Sequence, residues 1–155
     1  MSTTEPVIAS KLLDEVAERF SAEARSLGRA IMTDAPPDLR VDGNPHWLDL
    51  ALSNLVSNAL RYGEGTITLR ATQDVSRTWL SVIDEGPGFT AEFRAKAFDR
   101  FSRADSSRTT GGTGLGLALV QAVAEAHHGI AVITPTDSCV SLYIPTKAVP
   151  SSEPA

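Results

Sequence analysis

Three stretches of this chain repeat apolar residues at helical spacing, and each stops at a glycine. Leu13, Val16, Phe20, Ala24 and Leu27 precede Gly28; Leu48, Leu52, Leu55, Val56 and Ala59 precede Gly63; Leu115, Leu119, Ala122, Val123 and Ala126 precede Gly129. A helix with a single apolar stripe must bury that stripe against another layer. The chain between these helices supplies one. Ala30 to Thr33, Leu39 to Val41, Thr66 to Gln73, Thr78 to Asp84, Ile130 to Thr134 and Val140 to Ile144 mix β-branched and apolar residues in short runs that read as strands. Asn44 stands as N-cap before Pro45 at the first position of the second helix, and a further short helix is expected near Ala91 to Ala97. These elements in this order predict an α/β fold: a two-layer α/β sandwich with one mixed, mostly antiparallel sheet and helices on one face. Strand pairing stays open.

With 155 residues, 42% hydrophobic and 21% charged, the chain suits one domain and is long enough to fold around its own core. Residues 1–10 and 148–155, rich in Ser, Thr, Pro and Glu, read as disordered ends around a domain at 11–147. Cys139, the lone cysteine, excludes an internal disulfide framework and is expected as a small core residue on a strand. The long uncharged run from Thr109 to Ala124 is cut by Gly111, Gly112, Gly114 and Gly116, so no membrane segment is expected. The net charge of −5 argues against nucleic acid. Yet Arg94, Lys96, Arg100, Arg103 and Arg108 outnumber Glu92, Asp99 and Asp105 locally, which suits a small anionic ligand or simply a solvated face.

Three motifs carry chemistry. Asn54, Asn58 and Arg61 stand at i, i+4 and i+7 on the second helix, with Tyr62 four residues after Asn58. Asparagine is a poor mid-helix residue, and an amide oxygen can ligate Mg²⁺ beside phosphate; two tolerated surface asparagines would look the same. Asp84 ends a strand and runs into Gly86-Pro87-Gly88. Its carboxylate can accept from an exocyclic amine, and the glycines permit positive φ and close approach to a flat ligand, though an ordinary glycine–proline turn reads alike. Gly112-Thr113-Gly114-Leu115-Gly116 leads into the third helix, where free N–H groups and the helix dipole favour phosphate. A flexible hinge would share that composition. The stretch has neither a Walker-type ending nor the strand context of a dinucleotide fingerprint.

Taken together, Asn54 to Gly63, Asp84 to Phe89, Phe98-Asp99-Arg100-Phe101 and Gly112 to Leu117 resemble the N, G1, F and G2 boxes of sensor histidine kinase ATP-binding domains. The resemblance covers Leu12 to Pro145, and FDRFSRAD is similar to the subclass, mycobacterial kinases included, that feeds winged-helix transcription factors. It implies the Bergerat ATP-binding fold with ATP and Mg²⁺ as cofactors. Asp84 would bind the adenine amino group, Tyr62 would stack on the base, and Asn58 would ligate Mg²⁺. Asn54 and Arg61 would lie near the phosphates, and Gly86, Gly88, Gly112, Thr113, Gly114, Leu115 and Gly116 would line the nucleotide. Residues 89–112 would form the ATP lid, from which Arg103 reaches the phosphates. Asn54, Asn58 and Arg103 would be the catalytic set.

The family's phosphoacceptor motif is missing. His46, His127 and His128 lack its context; His46 is expected exposed on a first turn, and His127 and His128 at a helix C-terminus, where the dipole favours a cation. The resemblance therefore implies a soluble, monomeric catalytic segment that passes the γ-phosphoryl to a histidine on a separate dimerisation domain. A response regulator would act downstream, and the parent would be a membrane-bound sensor with this segment on the cytoplasmic face, making no direct membrane contact. The alternatives are a stand-alone serine kinase of the same fold and a non-catalytic nucleotide-binding interaction module.

Overall fold

The computed structural model describes residues 4–88, 115–134 and 138–145. The chain passes through β1 (Glu5–Ile8), α1 (Ala9–Ser26), β2 (Ile31–Asp34), β3 (Arg40–Gly43) and α2 (Pro45–Tyr62). It continues through β4 (Ile67–Gln73), β5 (Arg77–Ile83), α3 (Leu115–Ala126), β6 (Ile130–Ile133) and β7 (Cys139–Pro145). Five strands form one sheet in the order β2-β4-β5-β7-β6. Among the described residues only β2 and β4 pair parallel. A parallel pair needs a crossover, and α2 supplies it.

Alternation decides which face is covered. Ile67, Leu69 and Ala71 of β4 oppose Leu80 and Val82 of β5, which oppose Leu142 and Val140 of β7; all are buried. Leu13 and Val16 of α1, Leu48, Leu52 and Val56 of α2, and Val120 and Val123 of α3 lie on that face with no exposed surface. The other face carries Trp79 against Tyr143, with ring centroids 4.8 Å apart, and the hydrogen-bonded hydroxyls of Ser81 and Ser141. The expected two-layer sandwich is thus the observed one.

Several local expectations change. Residues 5–8, expected to be frayed, pair antiparallel with β3 from Glu5↔Gly43 to Ile8↔Arg40, and Ala9 is fully buried behind them. A four-residue strand satisfied by a partner over thirty residues away leaves little trace in composition. Gly28 closes α1 as expected, at φ 72°, with Arg29 N–H donating to Ala24 O at 2.9 Å. In α3 the left-handed residue is His128, at φ 69°, not Gly129. Gly129 is needed instead because a Cβ there would overlap the Tyr143 carbonyl oxygen. Cys139 opens β7 half-buried rather than in the core. The short helix near 91–97, the lid at 89–112 and the tail at 148–155 lie outside the described residues.

Candidate functional site

The polar stripe of α2 exists because its apolar stripe is committed to the core. Leu48, Leu52, Leu55 and Val56 are buried, which turns Asn54 and Asn58 to the helix margin, where both are half-buried. The Asn54 amide nitrogen donates to Leu50 O at 2.9 Å, so its oxygen is the group left to accept or ligate. One turn beyond Asn58 the helix ends at Tyr62, whose ring is 49% exposed, with the Arg61 guanidinium 5.9 Å from its centroid.

The stop at Gly63 does not come from a left-handed residue, since its φ is −95°. A Cβ at Gly63 would overlap the carboxylate of Asp84, so this glycine is what lets the end of α2 close onto the end of β5. Asp84 directly follows β5, anchored by its N–H donating to Ser138 O at 2.9 Å. Its Oδ1 accepts from Gly86 N–H at 2.7 Å and, more weakly, from Glu64 N–H at 3.4 Å, while Oδ2 lies against Gly63. Two backbone donors therefore fix the carboxylate, and one oxygen remains to meet a donor from outside. Of the two glycines expected to adopt positive φ, only Gly88 does, at 89°; Gly86 is required because a Cβ would come within 2.9 Å of Asp84 Oδ1.

A third contributor is α3. His127, just past its end, is buried, and its Nε2 accepts from the N–H of Asn44 at the start of α2, at 3.1 Å. The end of α3 thus meets the start of α2, and the two helices pack against each other. A helix of 12 residues is about 18 Å long. It opens with Leu115 and Gly116, at the end of a helix where the first N–H groups have no intrahelical acceptor. Arg103, Gly112, Thr113 and Gly114 lie outside the described residues. Among the expected residues, then, Gly86 binds the Asp84 carboxylate, Tyr62 directly precedes the Gly63 that Asp84 rests on, and Asn54, Asn58 and Arg61 lie upstream on the same helix.

His46 is exposed on the first turn of α2, as expected. His127 is buried at the helix end rather than exposed there, with Nδ1 facing Val123 O at 2.8 Å and Nε2 accepting from Asn44 N–H at 3.1 Å. Sequence reasoning passed over Glu64, Gly65, Glu85 and Arg29, which frame Asp84. The Gly63-Glu64-Gly65 repeat was the available sign, since two glycines around one residue mark close backbone approach. Among the described residues no group of three His, Cys, Asp or Glu side chains could hold a metal, so a divalent ion here would depend on amide oxygens and ligand phosphates.

Residues 43–148 match the family described as histidine kinase-, DNA gyrase B- and HSP90-like ATPase. The chain is 42% identical over 123 residues to the sensor histidine kinase component HK1 of Mycobacterium tuberculosis, covering 79% of this chain and 71% of that one. It is 37% identical over 129 residues to the sensor histidine kinase CpxA of Escherichia coli, covering 81% of this chain but only 28% of CpxA. The nucleotide-free catalytic domain of the histidine kinase ThkA superposes with a TM-score of 0.81 at 25% identity, over 93% of this chain and 96% of that one.

Proposed function

Because this chain belongs to the histidine kinase-, DNA gyrase B- and HSP90-like ATPase family, we propose that it is the ATP-binding catalytic domain of a sensor histidine kinase, working with Mg²⁺ and phosphorylating a histidine on a separate domain. The observation that carries this reading is the junction of α2 with β5. Asp84 has one oxygen held by backbone donors and the other against Gly63, within reach of the helix that bears Asn54, Asn58 and Tyr62. A fixed carboxylate with a spare acceptor beside a half-exposed ring matches an adenine: the amine donates to Asp84 and the ring of Tyr62 covers the base.

The residues fit Mg²⁺ in the way that ion is held beside nucleotides, by one or two protein oxygens with phosphates and water completing the shell. Asn58 is the ligand in this reading, and Asn54, its amide pinned to Leu50 O, orients the polyphosphate. The ion supplies charge neutralisation at the phosphate oxygens. Arg61, the α3 N-terminus at Leu115 and Gly116, and by resemblance Arg103, Gly112, Thr113 and Gly114 add positive potential for the triphosphate.

The described histidines support a phosphoacceptor on another domain. His127 has both ring nitrogens engaged, His128 caps α3, and His46 lies on the first turn of α2, away from Asn58 and Tyr62. The parent in this reading is a membrane-bound sensor with this domain on its cytoplasmic face and a response regulator downstream. No helix among the described residues is long and apolar enough to cross a membrane. Incubated with labelled ATP and Mg²⁺, this chain should bind nucleotide and gain no acid-labile phosphate; added dimerisation domain should become labelled. Self-labelling lost in a His128→Gln variant contradicts the reading, and transfer to a serine on a regulator protein identifies the serine-kinase alternative.

A further inference from the structure

Two side chains outside the expected set grip the loop against which Asp84 rests. The loop joins α2 to β4 through Gly63, Glu64, Gly65 and Thr66. Its Glu64 O accepts from Glu85 N–H at 2.8 Å, and its Thr66 N–H donates to Glu85 Oε1 at 3.1 Å. A Cβ at Gly65, which has φ 67°, would overlap that same Glu85 carboxylate. From the other side Arg29 donates through Nε to Gly65 O at 2.8 Å and through Nη1 to Leu60 O at 3.2 Å. Arg29 thereby ties the loop to the last turn of α2, where the helix dipole favours a cation. Its Nη2 is buried with no partner among the described residues. The two bonds Arg29 makes are part-buried, where a hydrogen bond is stronger than in open water.

The loop matters for Asp84 because it supplies Glu64 N–H to Oδ1 and places Gly63 against Oδ2. Base recognition by one carboxylate depends on which oxygen is spent inside the protein and which faces the ligand. If the loop swings away, Asp84 is left with Gly86 N–H alone and its spare oxygen is free to turn. A turned carboxylate still attracts water and cations but no longer sets a donor against an acceptor in one direction, which is what separates an exocyclic amine from a carbonyl.

We propose that Glu85 and Arg29 are positioning residues for base discrimination: by holding the Gly63–Thr66 loop from both sides they aim Asp84 at the amino group of adenine. This rests on the reading of Asp84 given above. Both residues act through the loop that positions Asp84, so the effect belongs to the base and not to the triphosphate.

The test compares ATP, GTP and inorganic tripolyphosphate, each with Mg²⁺, on the whole chain by calorimetric titration. In Glu85→Ala the ratio of ATP to GTP affinity should fall about five-fold, the equivalent of one hydrogen bond, with tripolyphosphate affinity changed by less than about two-fold. Glu85→Gln keeps an acceptor for Thr66 N–H and should restore the ratio. Arg29→Lys keeps the charge but not the fork, and should lower the ratio as Glu85→Ala does. Glu85 is exposed, so its variants leave the core intact, and circular dichroism verifies this. A folded Glu85→Ala protein with the parent's ratio, or one losing ATP and tripolyphosphate equally, overturns the proposal while leaving Asp84 as the base reader. A parent chain that binds ATP and GTP equally overturns both.

Discussion

His127 Nε2 accepts a hydrogen bond from the Asn44 backbone N–H at 3.1 Å, while its Nδ1 faces Val123 O at 2.8 Å. One buried ring thereby joins the end of α3 to the start of α2, and Asn44 in turn caps α2 by accepting from Trp47 N–H at 3.0 Å. Replacing the ring strands the part-buried Asn44 donor as well as losing the packing against Gly43. His127→Ala should cost about 2–3 kcal/mol in urea unfolding, against about 1 kcal/mol for Asn44→Ala, which loses the cap alone. A His127→Ala variant within about 0.5 kcal/mol of the parent would show that the ring does not join the helices.

Gly63 and Gly28 make a matched pair. Gly28 has φ 72° with nothing within 4 Å of a built Cβ, whereas Gly63 has ordinary extended backbone and a Cβ would strike Asp84. Gly28→Ala should therefore lower stability by about 1 kcal/mol and leave nucleotide affinity alone. Gly63→Ala should lower ATP affinity at least about ten-fold with the helix content preserved, because Asp84 must move. Unchanged ATP binding in Gly63→Ala would place the base elsewhere.

The layer architecture was legible because helical and strand periodicities are local: the stripe from Leu48 to Ala59 and the alternation from Ile67 to Ala71 each declare a buried face within a few residues. Asn54, Asn58 and Asp84 stand out in the sequence because their types are costly where they stand unless something uses them. Strand β1 was not, since its hydrogen bonds come from β3, and the αL cap fell on His128 because the helix could end one residue before its glycine. Glu85 and Arg29 were illegible for a related reason. Their partners are backbone carbonyls and N–H groups of a distant loop, so the glycines of that loop mark the close approach but not which side chains make it.

Arg19 grips Asp49 in a forked pair, with Nη1 to Oδ1 at 3.0 Å and Nη2 to Oδ2 at 2.8 Å, and Nη1 also reaches Ser53 Oγ at 2.8 Å. The hydrogen bonds from Arg19 hold the Asp49 carboxyl below its ordinary value of 3.8. The folded protein therefore binds this proton less readily than the unfolded chain. The resulting stability is fully present above that ordinary value and is lost as pH falls through the lower folded one. Asp49→Asn should cost about 0.5–1 kcal/mol at pH 7, a modest amount because the pair is partly exposed, and the gap to the parent should narrow below about pH 4. Urea midpoints at pH 7 and pH 3 measure it; a gap of equal size at both would mean that the pair contributes nothing through charge.

Asn58 and Asn54 stand one turn apart on the same half-buried margin of α2, but among the described residues only Asn54 has its amide pinned to the helix, through Leu50 O. The two substitutions should therefore separate. Asn58→Ala removes the oxygen assigned to Mg²⁺, so ATP affinity should fall about ten-fold in the presence of Mg²⁺ and barely at all in EDTA. Leu55 and Ala59 on either side stay buried, and alanine favours the helix, so stability should hold or rise slightly. Asn54→Ala frees a carbonyl at Leu50 without removing the metal ligand, and should weaken ATP with and without Mg²⁺ to a similar, smaller degree. Parallel titrations with Mg²⁺ and EDTA distinguish the two. If Asn58→Ala keeps the full gain in affinity from Mg²⁺, the ion is not held by that amide, and the polar stripe of α2 serves the phosphates directly.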